Sequence, residues 1–230
     1  MTLYDQYLHQ ERSNNKNTRI KSLTFVRTFI NKAILTGDLS ENPIKQFKIG
    51  RIEGNREYLN SVEVDKLEQL LQSNKLKQNK ANVLRYFLFS CYTGQRYSDI
   101  QKLKFSDITN ELISIRMTKT QDFVKIPIIP KAIKLLPKTN SFEKQKVFKV
   151  LSDQATNRYL KDIMLQAGIN KTISFHCARH TFATLGLEVG IPVDVVSKLL
   201  GHTDLKTTQI YAKYGDKLKI KEMRKWNNSE

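Results

Sequence analysis

Over residues 18–37 apolar side chains recur at three and four: Ile20, Leu23, Ile30 and Ile34 share a face, with Phe25, Phe29 and Ala33 beside it. That spacing predicts one amphipathic helix with Gly37 as its C-cap. Asn42-Pro43 ends it, and residues 48–57, with Gly50, Gly54 and several basic side chains, read as a linker at a domain boundary. Asn60, with Glu63 three residues on, has the pattern of a capping box, and Val64, Leu67, Leu70 and Leu71 continue a helix on one face. Residues 83–92 are apolar nearly all round, which predicts a buried helix, broken at Thr93-Gly94 before a polar turn at residues 95–99.

Between residues 112 and 128 the period changes to two. Ile113, Ile115 and Met117 alternate, then Val124, Ile126 and Ile128, with Lys119-Thr120-Gln121-Asp122 between the runs, which predicts a β-hairpin. Helical spacing returns at about residues 154–167, 178–189, 193–200 and 205–214, separated by Gly168, Gly190-Ile191-Pro192 and Gly201. The expected fold is mainly α with a small antiparallel β-sheet, in the α+β class. Its organisation is a helical fragment at residues 1–47, a basic linker at 48–57 and a larger domain at 58–230.

Composition narrows the function. Lys and Arg number 39 against 22 Asp and Glu, a formal charge of +17 over 230 residues. Such an excess on a folding chain points to a polyanionic partner, because each phosphate neutralised by Lys or Arg releases condensed counterions. The bland alternative is a solvated basic surface with no specific ligand. No apolar run approaches the roughly 18 residues of a spanning helix, and residues 1–17 are too polar for a signal peptide, so a soluble cytoplasmic protein is expected. Cys91 and Cys177 are too few and too distant for a disulfide framework.

Taken singly, the candidate side chains are ambiguous. Arg96 follows Thr93-Gly94-Gln95 at the end of the buried helix, where a guanidinium can reach an anion or form an ordinary salt bridge. Lys119, at the hairpin tip, is either solvated or free to enter a DNA groove. In His176-Cys177-Ala178-Arg179-His180, His176 and Arg179 share one face if a helix begins there. A metal set of His176, Cys177, His180 and His202 lacks paired ligand spacing. His202 follows a helix-ending glycine and can project into a cleft or interact with the helix dipole, and Tyr211 is a core tyrosine or a nucleophile. Together, two arginines, a lysine, two histidines and a tyrosine suit phosphoryl transfer without a metal: cations neutralise developing charge and the tyrosine attacks.

The order of these motifs resembles the tyrosine recombinase, or phage integrase, family, and within it the integrases of mobile elements of the Bacteroides group. The resemblance is carried by Thr93-Gly94-Gln95-Arg96-Tyr97-Ser98-Asp99, then Lys119, then His176-Cys177-Ala178-Arg179-His180-Thr181-Phe182-Ala183-Thr184, Leu199-Leu200-Gly201-His202 and Thr207-Thr208-Gln209-Ile210-Tyr211. It implies that Arg96 and Arg179 bind the scissile phosphate, that His202 is a third donor to the transition state and that Lys119 protonates the departing 5′ oxygen. It further implies that His176 is a general base or orienting group, that Tyr211 is the nucleophile and that Asp99 buttresses the first arginine. The implied product is a 3′-phosphotyrosine formed without metal or nucleotide cofactor, on double-stranded DNA held by a homotetramer, for integration or excision of a mobile element. A type IB topoisomerase or a non-cleaving DNA-binding accessory protein are the alternatives.

Where the family carries a full helical core-binding domain, only residues 1–47 precede the linker, so the resemblance implies an incomplete clamp, whether through truncation or in a naturally shortened form. Ile220, Met223 and Trp226 recur at threes in a basic tail, the pattern of a helix that docks on a neighbouring protomer or folds back on its own domain.

Overall fold

The first helices follow from their caps. Asn15 accepts a hydrogen bond from the backbone of Thr18 and opens α2 (Lys16–Leu35), two residues before the expected start at residue 18; α1 (Thr2–Gln10) precedes it. Leu8, Ile20, Leu23 and Ile44 are buried, Asp5 pairs with Arg19 at 2.9 Å, and Phe25 and Phe29 stay exposed, edge to face. This is a computed structural model that describes residues 1–47, 50, 57–137 and 145–212. Most of the expected linker, the tail at 216–226 and Tyr214 lie outside the described residues. The chain divides into two compact units, Met1–Asn55 and Arg56–Glu230.

The second unit opens with the capping box. Asn60 and Glu63 exchange hydrogen bonds of 2.8 and 2.9 Å at the start of α3 (Ser61–Gln72). One residue earlier, the Leu59 backbone N–H donates to the Thr181 hydroxyl at 2.9 Å, joining positions 122 residues apart. The run that is apolar all round forms the central helix α4 (Gln78–Thr93), with Val83, Leu84, Tyr86, Phe87, Leu88 and Phe89 fully buried. Truncating one of its phenylalanines to Ala would cost about 3–5 kcal/mol.

Residues 95–99, expected as a turn, instead lead into a short helix, α5 (Tyr97–Lys102), for which Arg96 is the N-cap. No apolar repeat marks it because its buried positions are Asp99 and Ile100, only one of them apolar. The expected hairpin is β2 (Leu112–Arg116) against β3 (Phe123–Pro127), with Ile113 opposite Ile126, and a two-residue strand, β1 (Ile108–Thr109), adds a third member in the order β1-β2-β3. Val124 and Ile126 face inward while Phe123 and Lys125 face out, as period two requires.

After the short α6 (Pro130–Ile133), helices resume. They are α7 (Asp153–Gln166), α8 (His176–Glu188), α9 (Val193–Leu200) and α10 (Lys206–Ala212). Helices α3, α7 and α8 pack on α4, and α9 packs on β3, so the sheet lies against the end of the helical core. Cys91 and Cys177 are buried free thiols, and no helix among the described residues is long and apolar enough to cross a membrane.

Candidate active site

Two glycines draw the candidate residues together. Gly94 ends α4 in the left-handed region (φ +67°), and a Cβ there would lie 2.7 Å from Phe182 and 2.8 Å from Leu200, so its missing side chain lets α8 and α9 close on the end of α4. Gly201 ends α9 in the same conformation (φ +57°), and a Cβ there would lie 2.6 Å from the Met117 sulfur. Its bareness brings the start of the His202 loop onto the hairpin.

Arg179 sits at the bottom of this closure, 3% exposed. Its guanidinium donates to the Gly94 carbonyl at 2.8 Å and to the Leu200 carbonyl. Burial, then the like charge of Arg96, pushes its pKa down to about 9, while Tyr211 and Asp99 act in the opposite direction. The guanidinium is thus a desolvated cation held by neutral carbonyls, a setting that favours the arrival of an anion.

Arg96 extends from the N-cap of α5 with one guanidinium nitrogen 2.9 Å from the Met117 sulfur. Asp99, buried one helical turn on, lies 4.0 Å from the same nitrogen. Its other carboxylate oxygen accepts the Thr118 backbone N–H at 2.9 Å, so one carboxylate ties Arg96 to the hairpin turn. Lys119, the next residue, is exposed on that turn.

His202 is half-buried just beyond Gly201 and shares a 2.7 Å hydrogen bond with Thr208 at the start of α10. Tyr211 lies on α10, 3% exposed, in a small apolar cluster with Ala183, Leu187, Val196 and Leu200. Its hydroxyl is 2.6 Å from Nδ1 of His180. His176 is exposed at the first position of α8, its ring edge-on to His180 with centroids 4.5 Å apart.

The structure therefore gathers Arg96, Arg179, Asp99 and Tyr211 at one seam, with His202 and Lys119 on the loops that border it and His176 one ring outward. In the sequence, His180 has no role in the reaction beyond its place in the motif and in the candidate metal set. The signal for more was its spacing of four from His176, which puts the two rings on one face of α8. Among the described residues no three His, Cys, Asp or Glu side chains cluster as a metal site.

Residues 60–217 match the phage integrase family and residues 1–49 the phage integrase SAM-like domain. A tyrosine recombinase of Thermosipho africanus is 30% identical over 93% of this chain and 77% of its own length. The tyrosine recombinase XerD of Oceanobacillus iheyensis is also 30% identical, over 94% and 77%. Among solved structures, XerH recombinase bound to a palindromic difH substrate superposes with a TM-score of 0.73 at 17% identity, covering 98% of this chain and 72% of that one. A lambda integrase dimer bound to a core site gives 0.69 at 20% identity over 94% and 77%. At such identities these two structures speak for the fold.

Proposed function

The chain belongs to the phage integrase family of tyrosine recombinases, site-specific enzymes that transfer DNA strands, and on that premise we propose how its residues divide the work. The observation that carries the proposal is the convergence of two arginines and a tyrosine hydroxyl at one desolvated seam.

Arg96 and Arg179 straddle the scissile phosphate and neutralise the charge that grows on its non-bridging oxygens. Because Arg179 is fixed by two carbonyls before substrate arrives, little reorganisation accompanies the reaction. His202, steadied by Thr208, adds a third donor. Tyr211 attacks phosphorus and retains the 3′-phosphate as an ester, while the 5′ oxygen leaves with a proton from Lys119 on the exposed side of the site. His176, edge-on to the ring that touches the phenol, orients the proton transfer. Asp99 sets Arg96 and the Lys119 turn in register. A 5′-hydroxyl from a second duplex then reverses the step, so the phosphoester bond is conserved and the exchange needs no nucleotide cofactor. Double-stranded DNA is the substrate, a homotetramer is the synaptic assembly, and the cytoplasm is the compartment where a mobile element would be integrated or excised.

The test is a nicked duplex carrying the junction of the mobile element, incubated with wild type and with Tyr211→Phe. Wild type should give a covalent protein–DNA adduct on a denaturing gel, and Tyr211→Phe none, with both binding equally on a native gel, because the phenol oxygen does chemistry and adds little to groove binding. An adduct that survives the substitution would overturn the nucleophile assignment. Relaxation of any supercoiled plasmid without site preference would favour the topoisomerase reading.

A further inference from the structure

We propose that His180 is the group that accepts the Tyr211 proton during attack, an inference that rests on the reading above and deepens it. Nδ1 of His180 lies 2.6 Å from the Tyr211 hydroxyl, the reacting oxygen itself. Both groups are buried, His180 at 7% and Tyr211 at 3% exposure, so bulk water is poorly placed to take the proton and the imidazole is the base in contact. The two rings tilt at 45° with centroids 5.5 Å apart, and His180 in turn meets the exposed His176 edge-on at 4.5 Å. A row of three rings thus runs from the nucleophile to solvent. For Nδ1 to accept, the neutral ring carries its proton on Nε2.

The step balances within the site. The Tyr211 oxygen passes its proton to Nδ1 of His180 and forms a bond to phosphorus. The bond from phosphorus to the 5′ oxygen breaks, and that oxygen takes a proton from Lys119. In rejoining, an incoming 5′-hydroxyl returns a proton to Lys119 as it attacks, and the departing phenolate recovers its own from His180. The nearby Arg179 charge favours the phenolate as it forms.

Three measurements on the full chain with the nicked duplex decide the matter. His180→Asn keeps a polar atom near the position of Nδ1 but cannot take a proton, and should form adduct on the order of 10²-fold more slowly with DNA affinity unchanged. Replacing Tyr211 with a fluorinated tyrosine, whose phenol is more acidic, should restore about tenfold of that loss in His180→Asn and change wild type little. On a substrate with sulfur at the leaving 5′ position, where no leaving-group proton is needed, wild type should slow about twofold in heavy water. The third measurement needs no change at position 180 and stands even if His180→Asn does not fold.

An adduct formed by His180→Asn at the wild-type rate or faster would overturn the proposal, making the contact a resting one. A slow variant that the fluorinated tyrosine does not help, or the absence of any heavy-water effect, would do the same. Binding by wild type with no adduct would take down the recombinase reading as well, whereas a wild-type adduct indifferent to position 180 sinks this inference alone.

Discussion

Arg179 and Lys119 carry the same charge in opposite settings. Arg179 is buried at the floor of the site, its guanidinium clamped between the carbonyls that end α4 and α9. Lys119 is exposed at the rim, on a turn that the Thr118 N–H ties to Asp99. The difference follows from what each proposed task requires. Charge that must be in place before the transition state is best built into the core, where reorganisation is small and the dielectric is low. A proton donor that meets a leaving oxygen and later meets an incoming one gains from a side chain that can move.

The contrast can be broken at several points. Arg179→Ala should lower single-turnover adduct formation by about 10³-fold, and Arg179→Lys should fail to rescue it, because an ammonium cannot span both carbonyls and still face a phosphate. Rescue to within tenfold by lysine would show that point charge, not the fork, is what the floor supplies. Lys119→Ala should lose about 10²-fold on an ordinary duplex, keep its melting behaviour, and return near the wild-type rate when the 5′ leaving atom is sulfur. Equal slowing on both substrates would remove Lys119 from leaving-group chemistry.

The floor should also be the more fragile part. Gly94→Ala forces an L side chain into φ +67° and into Phe182 and Leu200, so denaturant titration should show a loss of about 1–3 kcal/mol. An unchanged midpoint would mean that α8 and α9 can retreat from α4 freely. The smallest effect concerns pH. Burial pushes the free Arg179 guanidinium down to about 9, and a phosphate bound as proposed would raise that value. DNA affinity should therefore be fully present about a unit or more below pH 9 and fall as pH rises through it, by about twofold at pH 9 and about fourfold at pH 9.5, since binding there must take up a proton. Arg179→Gln should abolish this component, and an identical pH curve in that variant would assign it to other groups.

Much of the fold could be read from periodicity. The burial of α4, the capping box at Asn60 and the hairpin pairing all followed from spacing, because each depends on residues that are neighbours along one element. What escaped was short or depended on distant contacts. A two-residue β1 and a six-residue α5 offer no full period to recognise. His180 sits in a helix whose neighbours Cys177, Ala178, Thr181 and Thr184 are buried, so along the sequence it is one more core position. Only Tyr211, thirty-one residues later, gives that ring a chemical meaning. Met117 likewise reads as an alternating strand residue until Arg96 and Gly201 are seen against its sulfur.

The bond from Leu59 to Thr181 bears on when, during folding, a reactive site can exist. It closes a loop of 122 residues, and the Arg179 bond to Gly94 closes one of 85. Closures of that span are slow relative to local helix formation. A nascent chain with α4 and the hairpin already formed would still hold Arg96 apart from Arg179 and have no Tyr211 in place. Strand-breaking capacity is thus a property of the completed topology, withheld from every partly synthesised intermediate that meets DNA.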